Sequence, residues 1–110
     1  MKLPNADRAV AELAKLRDYC LNPEHPRGQY KARVFASALG LTADDAEELR
    51  AALLEAAAQH EAQPGEADQY GQRYVLDFGM ESAAGHATVR SIWIVRTGED
   101  FPRLVSCNVS

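Results

Sequence analysis

The hydrophobic pattern of this chain changes its period once, and that change limits the fold more than any other feature. Up to about residue 60, apolar residues recur every three or four positions, the spacing of one helix face. After about residue 70 they recur every second position, the spacing of one strand face. In a chain of 110 residues, helices followed by strands imply a single α+β domain. Its N-terminal helices pack on a C-terminal antiparallel sheet of three or more strands.

Val10, Leu13, Leu16, Cys20 and Leu21 predict a first helix from Ala9. It must stop at Asn22-Pro23, because proline disfavours helical geometry in the residue before it. Asn22 to Gly28 holds two prolines and a glycine and reads as a loop. A second helix is expected over Gln29 to Leu39, burying Tyr30, Val34, Phe35 and Ala38, with Gly40 ending it in the left-handed conformation. Thr42 with Asp45 three residues on caps a third helix, whose inner stripe is Leu49, Leu53, Leu54 and Ala57. The helical part thus covers about 9–60. Residues 61–70 are polar, contain Pro64 and Gly65, and read as a surface connection. Strands fill 71–109. Tyr74, Leu76, Phe78 and Met80 form one face of the first, Ala83 to His86 a hairpin turn, and Val89, Ser91, Trp93 and Val95 one face of the return. Arg103 to Val109 makes a third strand. Phe35 and Trp93 are expected in the core.

The charge is uneven, and its distribution says more than its total. The net value of −4 excludes a basic coat for nucleic acid but allows a local basic site. Residues 42–70 hold eight acids against Arg50 alone, which leaves −7 there and +3 elsewhere. Between His25 and Phe35 stand Arg27, Lys31 and Arg33 with no acid. Cations on a loop that feeds a helix N-terminus make either an anion or phosphate site or a solvated face. His25, on that loop between prolines, is the best single residue for proton transfer, the alternative being a purely structural loop histidine. His60 suits the negative end of the third helix, and His86 is expected at an exposed hairpin tip. Cys20 and Cys107 are too few for a disulfide scaffold, and no zinc-like ligand spacing surrounds them. Without nucleotide-binding or metalloprotease motifs, no cofactor or metal is expected. No apolar run spans a bilayer, and an acid and a proline occupy the place of a secretory core. A reduced, cytoplasmic setting without a membrane partner is the expectation.

The block Leu21-Asn-Pro-Glu-His-Pro-Arg-Gly-Gln-Tyr-Lys-Ala-Arg-Val-Phe35 with Ala38-Leu-Gly40 resembles an LNPxHPxGxxKAxxFxxxLG pattern. That pattern belongs to C-terminal toxin domains of bacterial contact-dependent inhibition and polymorphic toxin systems. Gly85-x-Ala87-x-Val89, Trp93-Ile94 and Arg103-Leu-Val-Ser106 are similar to the strand endings of those domains. The chain also resembles a small stand-alone bacterial domain family of unknown function that shares both signatures. The resemblance implies a fold of the barnase–EndoU–colicin–RelE group and metal-independent cleavage of RNA, often tRNA, with a protein inhibitor or antitoxin as partner. Residue by residue, it implies His25, Lys31, Arg103 and Ser106 as catalytic and Ser91 and Trp93 in substrate binding, with Arg27 from the basic segment and the neighbouring Arg90 as further substrate-binding candidates. Ser106 keeps the hydroxyl of the threonine in the pattern. Arg90 alternates to the strand face opposite Ser91 and Trp93. A non-catalytic binding module with the same fold, using the acidic third helix as a partner surface, is the alternative.

Overall fold

The change of period is also a change of layer. The computed structural model describes residues 1–110. Its helical layer comprises α1 (Leu13–Lys15), which runs directly into a π-helical turn (Leu16–Cys20), then α2 (Gln29–Leu39) and α3 (Ala46–Gln59). The sheet consists of β1 (Gln63–Asp68), β2 (Gly71–Ser82), β3 (Gly85–Arg96) and β4 (Pro102–Val109), antiparallel and in the order β1-β2-β3-β4. Fold class and chain order match the sequence reading.

The first helix starts at Leu13 rather than Ala9. Val10 is extended instead: its N–H donates to the Pro102 carbonyl at 2.9 Å, and its carbonyl accepts from the Leu104 N–H at 2.8 Å. This short parallel bridge covers the start of β4's outer edge, whose backbone groups need partners. Side-chain spacing cannot separate a helical turn from a strand-edge residue, and here the backbone requirement decided. The helix then widens. The Leu21 N–H reaches the Leu16 carbonyl, five residues back, at 2.9 Å, so Leu16, Cys20 and Leu21 all point inward and are buried.

On α2 the buried face is Ala32, Phe35 and Leu39. Tyr30 and Val34, expected inside, are exposed instead. Positions 30 and 34 share a stripe, but it lies a quarter-turn or more from the one carrying Phe35, and the larger ring takes the core. Gly40 closes the helix at φ 65°, a value that only glycine adopts freely. Ahead of α3, Thr42 and Asp45 form a capping box, the Thr42 N–H donating to Asp45 Oδ2 at 2.8 Å. Leu49, Leu53 and Ala57 are buried below it, while Leu54 is partly so.

The expected connection over 61–70 contains a fourth strand, β1. All six of its residues are exposed, so no alternation could reveal it; it is held by backbone pairing alone. Edge position explains why Pro64 and Gly65 are tolerated, and the register slip between Pro64 and Ala67 blunts that edge. Across the sheet, Tyr74, Leu76, Phe78 and Met80 on β2 are buried with Val89, Ser91 and Trp93 on β3. Phe35 and Trp93 are both fully buried. In β4, Ile92 pairs with Ser106 but Trp93 with Leu104, leaving Val105 as an extra residue. Such a bulge re-aims the side chains beside it.

Candidate active site

The His-Pro-Arg-Gly block has a structural logic of its own. His25 Nδ1 accepts two backbone hydrogen bonds, from the Arg27 and Gly28 N–H groups, each at 3.0 Å. The Gln29 N–H then donates to the His25 carbonyl at 2.9 Å. His25 therefore caps the turn that opens α2, and Pro26 follows where a missing N–H costs nothing. Gly28 is required because a Cβ there would collide with the Tyr19 backbone carbonyl. The loop thus closes onto the π turn. With Nδ1 accepting from two donors, the ring proton sits on Nε2, the nitrogen left free for a ligand.

The π turn delivers Tyr19 into the space between loop and helix. The Tyr19 and His25 rings meet edge to face with centroids 4.7 Å apart. Lys31 Nζ lies 5.1 Å from the Tyr19 ring centroid, a cation–π contact. The same Nζ donates to Ser106 Oγ at 2.6 Å, although the two residues are 75 apart in sequence. His25, Tyr19, Lys31 and Ser106 are half-buried, and together they line one patch at the α2 N-terminus and the β4 bulge.

Two thiols lie under this patch. Cys20 and Cys107 are fully buried and unbridged. The Cys20 thiol is held below its usual range, first by the hydrogen bond from the Cys107 thiol. The Cys107 backbone N–H, the Lys31 ammonium and the Ser106 hydroxyl act in the same direction, and burial opposes them. Cys107 is pushed up by the same hydrogen bond, by burial and by the charge on Cys20. The two thiols are thus pushed in opposite directions beneath Lys31.

The other residues singled out in the sequence lie elsewhere or do other work. Arg103 stands three residues before Ser106 on the strand, ~10 Å at the rise of a strand. It is held by Glu99 through two bonds of 2.9 and 3.0 Å and stacks on Phe101. It makes no contact with Lys31 or Ser106. Arg90 makes a bidentate pair with Asp77 at 2.9 and 3.0 Å on the exposed face. Trp93 Nε1 donates to Ser91 Oγ at 2.9 Å, and Ser91 Oγ donates to the Leu76 carbonyl at 2.8 Å. Both side chains are fully buried, so they brace the sheet. Arg27 is exposed and its guanidinium enters no salt bridge. His60 tilts over Phe78 beside Glu48, Glu55 and Glu81 in a cleft of about 320 Å³, and His86 pairs with Glu81 at the β2–β3 hairpin. No three His, Cys, Asp or Glu side chains gather as a metal site, and no helix is long and apolar enough to cross a membrane.

Sequence reasoning missed Tyr19. Its place depends on the π turn, which shifts the helical phase by one residue. The one available signal was an aromatic residue three positions before the Asn22–Gly28 loop.

No curated protein matches the chain. Among solved structures, the fold is similar to a chain of the contact-dependent growth inhibition toxin–immunity protein complex from Klebsiella pneumoniae 342. The TM-score is 0.71 at 14% identity, covering 96% of both chains. At that identity the likeness describes the fold. A family model described as "Domain of unknown function (DUF6883)" matches residues 2–110, and the chain belongs to that family.

Proposed function

We propose that the chain is a metal-independent endoribonuclease of bacterial toxin type. The observation that carries this reading is the Lys31–Ser106 contact of 2.6 Å, with His25 one aromatic ring away and no acid between residues 25 and 35. These groups supply what phosphate-diester transfer demands: positive charge and hydrogen-bond donors where negative charge develops. Ser106 Oγ accepts from Lys31, and its own O–H, which faces the Cys20 sulfur, turns to donate to a phosphate oxygen when one binds. His25 Nε2–H is a second donor, and Arg27 an exposed cation at the rim. The RNA 2′-hydroxyl attacks phosphorus and loses its proton to water. The P–O5′ bond breaks as the Lys31 ammonium protonates the leaving oxygen, and Lys31 then regains a proton from solvent. The products are a 2′,3′-cyclic phosphate and a 5′-hydroxyl. Arg103 acts at a distance in this scheme, through its charge, because Glu99 occupies its guanidinium.

The likeness to a chain of a toxin–immunity complex supports a protein inhibitor as partner and a toxin-type role. A non-catalytic module is the second reading, favoured by the −7 carried by residues 42–70, which suits a basic protein surface.

The test is cleavage of total RNA and tRNA in EDTA, with mapping of the ends. Lys31→Met should lower the rate by ~10²–10³-fold, the usual effect of removing a transition-state donor. His25 needs two variants, because one nitrogen is structural. His25→Asn keeps an acceptor near Nδ1 and loses Nε2–H; it should fold normally and lose ~10²-fold or more. His25→Gln should retain more activity but loosen the loop. Wild-type protein that leaves RNA intact, and is harmless when expressed without a partner, would reject the ribonuclease reading in favour of the module.

A further inference from the structure

Next to the Lys31–Ser106 contact, α2 and the end of β4 enclose a groove that the cleavage chemistry does not use. Its volume is about 250 Å³, and Tyr30, Lys31, Val34, Asn108 and Val109 line it. Tyr30 is 65% exposed and Val34, one helical turn on, 44%. An open aromatic side by side with an open valine has no role in packing α2, whose core face is elsewhere. The Arg33 guanidinium lies 5.6 Å from the Tyr30 ring centroid, so the aromatic surface carries a cation, and no carboxylate lines the groove. Asn108 uses one N–H on the Val109 carbonyl at 3.3 Å. Its side-chain carbonyl and second N–H have no protein partner, and these are the groups that pair with a base edge.

We propose that this groove is the subsite for one nucleobase beside the scissile phosphate, an inference that rests on the ribonuclease reading of Lys31 and Ser106. The base stacks on Tyr30 and lies against Val34 and Val109, while the Asn108 amide reads its edge. Lys31 belongs to both the groove and the phosphate site, so one nucleotide spans them. The groove falls below the ~300–1,000 Å³ that encloses a drug-sized ligand, which suits a single flat ring system. An extended peptide on the open edge of β4 would be the competing occupant. Val10 takes the Pro102 and Leu104 backbone groups and Lys15 Nζ the Leu104 carbonyl, at 3.3 Å, which leaves a peptide only the last few residues of that edge beside the groove. A small, aromatic, acid-free surface bordered by cations matches a base on a phosphate chain.

The experiment measures binding of labelled 2′-deoxy tetranucleotides, which lack the attacking hydroxyl, by fluorescence anisotropy. Homo-oligomers of the four bases are compared with an abasic tetramer of the same charge. Tyr30→Ala should weaken the base-bearing oligomers by about 5- to 150-fold, the range for losing one stacked base, and leave the abasic one unaffected. Tyr30→Phe should recover the lost affinity, and Asn108→Ala should narrow the spread among the four bases. A loss equal for abasic and base-bearing oligomers, or none at all, overturns the subsite. So does unchanged binding by a Tyr30→Ala protein that, unlike wild type, no longer self-associates or binds a protein partner. RNA cleavage measured in parallel separates the two ideas. Cleaving wild type with an indifferent Tyr30→Ala removes the subsite alone; wild type that neither binds nor cleaves removes the ribonuclease reading with it.

Discussion

Replacing Ser91 by alanine distinguishes a brace in the core from a hydroxyl kept for a ligand. Ser91 Oγ accepts from Trp93 Nε1 at 2.9 Å and donates to the Leu76 carbonyl at 2.8 Å, with both side chains fully buried. Alanine removes both bonds and opens almost no void. The indole N–H is then a buried donor without an acceptor, costing ~1–3 kcal/mol. The Leu76 carbonyl loses one donor, worth ~0.5–1.5 kcal/mol. Together these imply a loss of roughly 1.5–4.5 kcal/mol. In a domain of this size that lowers Tm by about 6–18 °C. Urea denaturation followed by tryptophan fluorescence reads the loss as a lower midpoint at constant slope. A double-mutant cycle sharpens the reasoning. In a Trp93→Phe background the orphaned donor no longer exists, so Ser91→Ala should cost less, by about 1–3 kcal/mol. A single-mutant loss below about 0.5 kcal/mol, the size of a neutral surface change, would refute the brace and return Ser91 to the ligand site.

Phe35→Ala should cost ~3–5 kcal/mol, since the ring is fully buried and its removal leaves a cavity; an unchanged denaturation midpoint would contradict its place in the core. Gly28→Ala should destabilise by ~1–3 kcal/mol and depress RNA cleavage, because the added methyl meets the Tyr19 backbone and pushes the His25 loop away; crystallography or amide exchange of residues 22–28 would register the shift. Stability should fall with acid. Asp77, Glu99 and Asp100 are held below the ordinary 3.8 and 4.5 chiefly by hydrogen bonds from Arg90, Arg103 and Arg8. Their contribution is complete above those ordinary values and lost as pH drops through the lowered ones. Denaturation midpoints from pH 5 to 2 would show this, and because the pairs are exposed, added salt should flatten the trend. If Arg27, Lys31 and Arg33 each meet a phosphate, log affinity for single-stranded RNA should fall with log salt at a slope of about −2; a slope near zero would mean the basic segment is only a solvated face.

Much of this molecule was legible because its sequence repeats local rules. The capping box at Thr42 and Asp45, the glycine stop at Gly40 and the alternation Tyr74–Met80 each depend on neighbours a few residues away. They reappear in the structure where local physics places them. The site was legible only by its residue types: Lys31 and Ser106 stood out, and the fold alone brings them within 2.6 Å across 75 residues. Arg103 carries the same charge as Lys31, yet a turn at Glu99 engages it, and spacing contains no trace of that pairing.

What the sequence settles by itself is the order of layers, since a period of 3.6 cannot sit as a strand nor a period of two as a helix. Only the tertiary structure decides the rest. β1 exists because β2 offers an open edge, not because its own side chains alternate. Tyr30 is outside because Phe35 fills the core. Cys20 and Cys107 shift in opposite directions because helix and strand bury them together. His25 has a structural nitrogen and a free one because the loop folds back onto Tyr19. In each case the deciding term is a contact between distant residues, and its energy depends on burial and geometry that no local window of sequence contains.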